Sequence, residues 1–116
     1  MISRIHRFHG HNSLNHVYRT GKTERSEFIV LKHARANRND YRLAVVVSKK
    51  VSKSAVVRNR IRRRLYELVR EIRKETEQSW PNDIVLTVFD ESVAKMPPEQ
   101  LRSAVTKLLQ KSQILT

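Results

Sequence analysis

Apolar positions recur along this chain in two rhythms. Val57, Ile61, Leu65, Leu68, Val69 and Ile72 are spaced so that, at about 100° per residue, they fall on one face of a helix. That helix is predicted to run roughly over residues 54–77. Leu43 to Val47 is instead an unbroken apolar run inside 41–49, as expected of a strand buried on both faces. Ile84 to Phe89, interrupted only by Thr87, reads as another buried strand, and residues 26–33 read as a further strand. Turn-forming residues and two arginines fill Ala34 to Asp40, which suits a hairpin loop between neighbouring strands.

Two shorter helical patterns flank these elements. Asn12 or Ser13 can cap a helix in which Leu14, Val17 and Tyr18 share a face, and Gly21 is placed to end it in a left-handed conformation. Trp80-Pro81-Asn82-Asp83 breaks the chain after the long helix. Pro97 and Pro98 open a last helix, because proline is tolerated where a first-turn amide has no partner, and Leu101, Val105, Leu108 and Leu109 form its apolar stripe. The predicted fold class is α+β. A small sheet of about four strands packs with three helices in the order αβββαβα, in one domain over residues 1–116. Pattern alone favours a right-handed crossover between strands 41–49 and 83–89.

Charge changes the picture of the long helix. The chain holds 24 Lys+Arg against 11 Asp+Glu, a formal net charge of +13, which repels itself unless a polyanion relieves it. Five of the seven residues from Arg58 to Arg64 are arginine. Arg60, Arg63, Arg64, Arg70 and Lys74 fall opposite the apolar stripe, with Arg58 and Arg62 beside it. Ser54 is the predicted N-cap, so Arg58, Asn59 and Arg60 lie in the first two turns, where free amides and the helix dipole add to the attraction for phosphate. Arginine also offers a planar fork that grips two phosphate oxygens. Only Glu67 and Glu71 stand near enough in sequence to neutralise the array.

Nucleic acid is therefore the leading partner, ahead of an anionic membrane. No stretch approaches the roughly 20 apolar residues of a membrane span. Met1 to His11 is basic and lacks the apolar run of a signal peptide. The absence of cysteine excludes disulfides and thiolate metal sites, and fits a cytoplasmic protein.

The run Val47-Ser48-Lys49-Lys50, a short turn, and then Ala55-Val56-Val57-Arg58-Asn59-Arg60-Ile61-Arg62-Arg63 resembles the signature of the bacterial ribonuclease P protein subunit. Elements elsewhere agree in order and spacing, so the resemblance covers nearly the whole chain. It implies a left-handed crossover in place of the right-handed one. It implies a ribonucleoprotein endonuclease whose RNA subunit removes the 5′ leader of precursor tRNA, with Mg²⁺ held mainly by RNA and none bound tightly by the protein. The catalytic RNA would be bound by Lys49, Lys50, Lys53, Arg58, Asn59, Arg60, Arg62 and Arg63. The single-stranded leader would enter a cleft between the first helix and the sheet, carried onto Leu14, Tyr18, Phe28, Val45 and Val47. The residues themselves suggest that Phe28 and Tyr41 approach this groove and that Lys22, Arg25 and Arg42 edge it. The free protein is expected to be monomeric, cytoplasmic and away from membranes. Several positions depart from the family pattern: Leu14 replaces an aromatic residue, Tyr66 and Phe89 each replace an arginine, and Ser52-Lys53 stands where glycine is common.

Other chemistry is thin. His6, His9, His11, His16 and His33 invite a zinc reading, but no cysteine or recognised ligand spacing accompanies them. Asp90 and Glu91 follow a buried strand, where a metal-dependent nuclease could place carboxylates, and a solvated turn is the plainer reading. No phosphate-binding glycine loop or nucleophile elbow is present, so no catalytic residues are expected in this chain. The alternative function is a general basic RNA-binding protein of ribosomal or RNA-chaperone type.

Overall fold

The computed structural model describes residues 11–36 and 39–115, with the backbone alone for 11–15. Its elements are α1 (His11–Thr20), β1 (Lys22–Arg25), β2 (Ile29–Arg35), β3 (Arg42–Val47), α2 (Ala55–Lys74), β4 (Asn82–Val88), a short 3₁₀ turn (Glu91–Ala94) and α3 (Pro98–Lys111). The expected α+β order αβββαβα is the one observed. The strand that hydrophobic pattern did not locate is β1, Lys-Thr-Glu-Arg, whose polar residues suit an exposed sheet edge.

The sheet runs β1-β2-β4-β3. β2 is antiparallel to both β1 and β4, whereas β3 is parallel to β4. The expected hairpin between β2 and β3 therefore does not form, because β4 lies between them. β4 has the continuous buried run Asp83 to Leu86, which suits a central strand with a neighbour on each side. β3 takes the edge, and α2 covers it. The Val45 N–H donates to the Tyr66 hydroxyl at 3.3 Å, and Arg62 Nη2 donates to the Val47 carbonyl at 3.3 Å. These side chains occupy edge groups that could otherwise pair with another chain.

The main core lies between one sheet face and the helices α2 and α3. Ile29, Leu31, Leu43, Val45, Val47, Ile84, Leu86 and Val88 meet Ile61, Leu65, Val69 and Ile72 of α2 and Leu101, Val105, Leu108 and Leu109 of α3. Burying each such side chain contributes about 1.5–3 kcal/mol relative to leaving it exposed. Val57 and Leu68 complete the predicted stripe as half-buried residues packed against this core. Trp80 and Tyr41 seal one end, with ring centroids 5.6 Å apart at 54°.

The opposite sheet face carries a smaller cluster in which Val17 of α1 meets Ala34, Ala44 and Val85. Two alanines let the helix lie close to the sheet. Gly21 serves the same approach. Its φ lies outside the left-handed region, contrary to expectation, but a Cβ there would fall 2.7 Å from the His33 carbonyl oxygen and closer still to that of Val17.

Candidate nucleic-acid interface

The turn from β3 into α2 is built from serines. Ser52 is buried and its hydroxyl accepts from the Ser54 N–H at 3.2 Å. Ser54 in turn caps α2, its hydroxyl accepting from the Val57 N–H at 3.3 Å, as the sequence predicted. Hydroxyls thus organise the turn where glycine had been the expected family residue. Around it Lys49, Lys50 and Lys53 are exposed, and Asn59, Arg60 and Arg63 are exposed on the first turns of the helix. None of these five cations has a carboxylate partner among the described residues. The fixed amides of the helix start and this unpaired charge add in the same direction.

The remaining arginines of the run are committed to the fold to different degrees. Arg58 is half-buried and donates to the Ser52 carbonyl at 2.9 Å. Arg62 bridges Asn59 Oδ1 at 2.8 Å and the Val47 carbonyl. Arg64, expected on the free face, instead donates to the carbonyls of Val93 at 2.7 Å and Met96 at 2.6 Å. It ties α2 to the 3₁₀ turn that follows β4, a contact that helical spacing does not reveal. Farther along, Arg70 lies 3.7 Å from Glu67.

On the other sheet face the predicted cleft needs correction. Alternation along a strand sends Val45 and Val47 into the main core beneath α2, where they are 7% and 4% exposed. Phe28, in the turn before β2, packs on the rim of that same core. Tyr41 is buried against Trp80 rather than lining a groove. Arg42 does face the α1 side but pairs with Asp83, with Nε to Oδ1 and Nη2 to Oδ2 both 3.1 Å. The side chain of Leu14 lies outside the described residues.

Strand register identifies what does occupy the α1 side. Arg25, Val30, Thr87 and Val46 form one cross-sheet row, and Thr23, Lys32, Val85 and Ala44 form the next. α1 covers the second row through Val17. Tyr18 is 42% exposed, with the Lys32 ammonium 5.4 Å from its ring centroid. The sequence offered no signal for this choice of row, because every residue from Leu43 to Val47 is apolar.

The remaining candidates separate clearly. Asp90 Oδ1 accepts from the Ser92 N–H at 2.8 Å and caps the 3₁₀ turn, and that bond holds its carboxyl below the usual carboxylate range. His6 and His9 lie outside the described residues, as does the side chain of His11. His16 and His33 border a cavity of about 220 Å³ with Thr20, Lys22, Ala34, Arg35 and Asn82. Burial lowers the pKa of His33, and its Nε2 has no hydrogen-bond partner among the described residues. Among those residues no group of three or more His, Cys, Asp or Glu side chains is placed to hold a metal ion. No helix among them is long and apolar enough to cross a membrane.

The family model described as Ribonuclease P matches residues 2–113. The ribonuclease P protein component of Roseiflexus castenholzii is 31% identical over 114 residues, covering 98% of this chain and 91% of the relative. That of Chloroflexus aurantiacus is 33% identical over 114 residues, covering 98% and 82%. Among solved structures, the RNase P protein of Staphylococcus aureus superposes with a TM-score of 0.79 at 20% identity, covering 96% of this chain and 98% of that one. The RNase P protein of Thermotoga maritima gives 0.73 at 21% identity, covering 84% and 89%.

Proposed function

This chain belongs to the ribonuclease P protein family, and on that premise we propose that it binds the catalytic RNA of ribonuclease P through the first turns of α2 and guides the 5′ leader of precursor tRNA across the α1 side of its sheet. The observation that carries the first half is the cluster of Lys49, Lys50, Lys53, Arg60 and Arg63, exposed and without carboxylate partners among the described residues. Cations left unpaired at a helix start are placed to neutralise phosphates and release their counterions. Asn59 adds an amide, and Arg58 and Arg62 add the exposed parts of guanidinium groups whose other nitrogens hold the turn.

For the leader, the path follows the row Arg25–Val30–Thr87–Val46, in which Arg25 is exposed, Thr87 and Val46 are half-buried and Val30 is buried beneath, with Tyr18 and Lys32 on its α1 flank. A cationic groove with an aromatic wall follows a single strand by charge and holds bases by stacking, whatever their identity. In this reading the RNA subunit cleaves, and the Mg²⁺ of the holoenzyme is held mainly by RNA. The protein raises affinity for the leader-bearing substrate. It works in the cytoplasm and is monomeric when free.

The test is cleavage of precursor tRNA by protein alone, catalytic RNA alone and both together. Stimulation seen only with both, greatest at low Mg²⁺, is expected. Cleavage by the protein alone would make it a nuclease in its own right. Equal affinity for unrelated RNAs without stimulation would make it a general basic RNA-binding protein.

A further inference from the structure

Phe89 closes β4 with 60% of its surface exposed. Its N–H donates to the Phe28 carbonyl at 2.9 Å, which extends the β2–β4 pairing one step past Val88. Asp90 remains extended, at φ −137° and ψ 132°, and is held by its cap on the 3₁₀ turn. The backbone is therefore fixed on both sides of the ring. Alternation sends Val88 into the main core and Phe89 to the α1 side, following Val85 and Thr87. The register Val47↔Val88 sets it beside Ser48, at the start of the Lys49–Lys50 turn.

A single exposed phenylalanine is ordinary on a protein surface. This one lies in the next cross-strand row beyond Thr87 and Val46, between Phe28 and Ser48, so a strand leaving the row Arg25–Val30–Thr87–Val46 for the exposed lysines of the turn passes beside it. We propose that Phe89 is a stacking platform for one unpaired base of single-stranded RNA, between the leader path and the surface that binds the catalytic RNA. The proposal rests on the leader path described above. The ring has no hydrogen-bonding group with which to read a base edge, so it accepts any base and favours purines by their larger stacking area. A stack neutralises no phosphate and leaves the salt dependence of binding unchanged.

The experiment uses the reconstituted holoenzyme and precursor tRNA carrying a fluorescent purine analogue at each leader position in turn. One position is expected to be quenched by the native protein and released by Phe89→Ala. Affinity for the leader-bearing substrate should fall about tenfold in Phe89→Ala and be kept in Phe89→Trp, with unchanged salt slope and unchanged affinity for mature tRNA. An intact thermal transition in Phe89→Ala separates this from unfolding. If Phe89→Ala binds leader-bearing substrate normally while Tyr18→Ala does not, the platform is wrong and the leader path stands. If both variants bind it normally, the path fails and the platform with it. Equal losses on mature and leader-bearing tRNA would also overturn the platform.

Discussion

Two pairs of arginines on α2, Arg60 and Arg63 near its start and Arg70 and Arg73 near its end, use the same side chain in opposite ways. In the first half Arg60 and Arg63 stand exposed without carboxylate partners among the described residues, next to Lys49, Lys50 and Lys53. In the second half Arg70 lies beside Glu67, while Arg73 donates to Asp40 Oδ1 at 3.0 Å and lies 5.9 Å from the Trp80 ring centroid. Arg73 also donates to the Thr76 carbonyl at 3.1 Å, closing the helix end. An arginine's role is decided by what the fold brings to its guanidinium. Where a carboxylate and a ring meet it, the charge fastens elements together; where nothing does, it is left for an outside anion.

The comparison breaks most completely if the stripe shared by both halves is removed. Ile61→Asp or Leu65→Asp should abolish cooperative thermal unfolding, since both side chains are fully buried and a carboxylate there would have no partner. A transition near the native temperature would mean that the helix rests on a different face.

Substitutions in each half should then separate binding from stability. Arg60→Ala and Arg63→Ala should weaken binding of the catalytic RNA, each lowering the salt slope of log K by about 1, with the melting temperature nearly unchanged. Arg73→Ala should do the reverse, costing about 1–2 kcal/mol of stability in denaturant titration while RNA affinity holds. A large stability loss for Arg60→Ala, or a change in salt slope for Arg73→Ala, would erase the contrast.

The smallest effect is expected in acid. Burial opposes ionisation of Asp40, but bonds from Arg73 and from the Tyr41 N–H at 2.9 Å outweigh it and hold the carboxyl below its usual range. A carboxylate with a lowered folded pKa contributes stability above its unfolded value, about 3.9, and that contribution is lost as pH falls through the folded value. Asp40→Asn should therefore flatten the acid limb of stability against pH. The same substitution should leave the pH dependence of RNA binding alone. Tyr41, whose pKa burial pushes up to about 12, stays neutral throughout this window.

Local spacing carried much of the fold. The 3.6-residue period showed which face of α2 is buried, Ser54 was legible as its cap, and Pro97-Pro98 as the opening of α3. These depend on covalent geometry and near neighbours, which any stretch of sequence contains. Arg60 and Arg63 were legible for the same reason, as positions opposite an apolar stripe, whereas Lys49, Lys50 and Lys53 lie in the turn before α2 and were singled out only by the family resemblance. Contacts distant in sequence decided the rest. Arg64 and Arg60 share a helical face, but only Arg64 meets the carbonyls of Val93 and Met96. Arg42 finds Asp83 only because β3 runs beside β4. Leu43 to Val47 is apolar throughout, so its alternation could not say which residues face α1. That parity was set when β4 took the centre of the sheet and α2 covered one face, turning Val45 and Val47 inward and leaving Val46 on the side of α1.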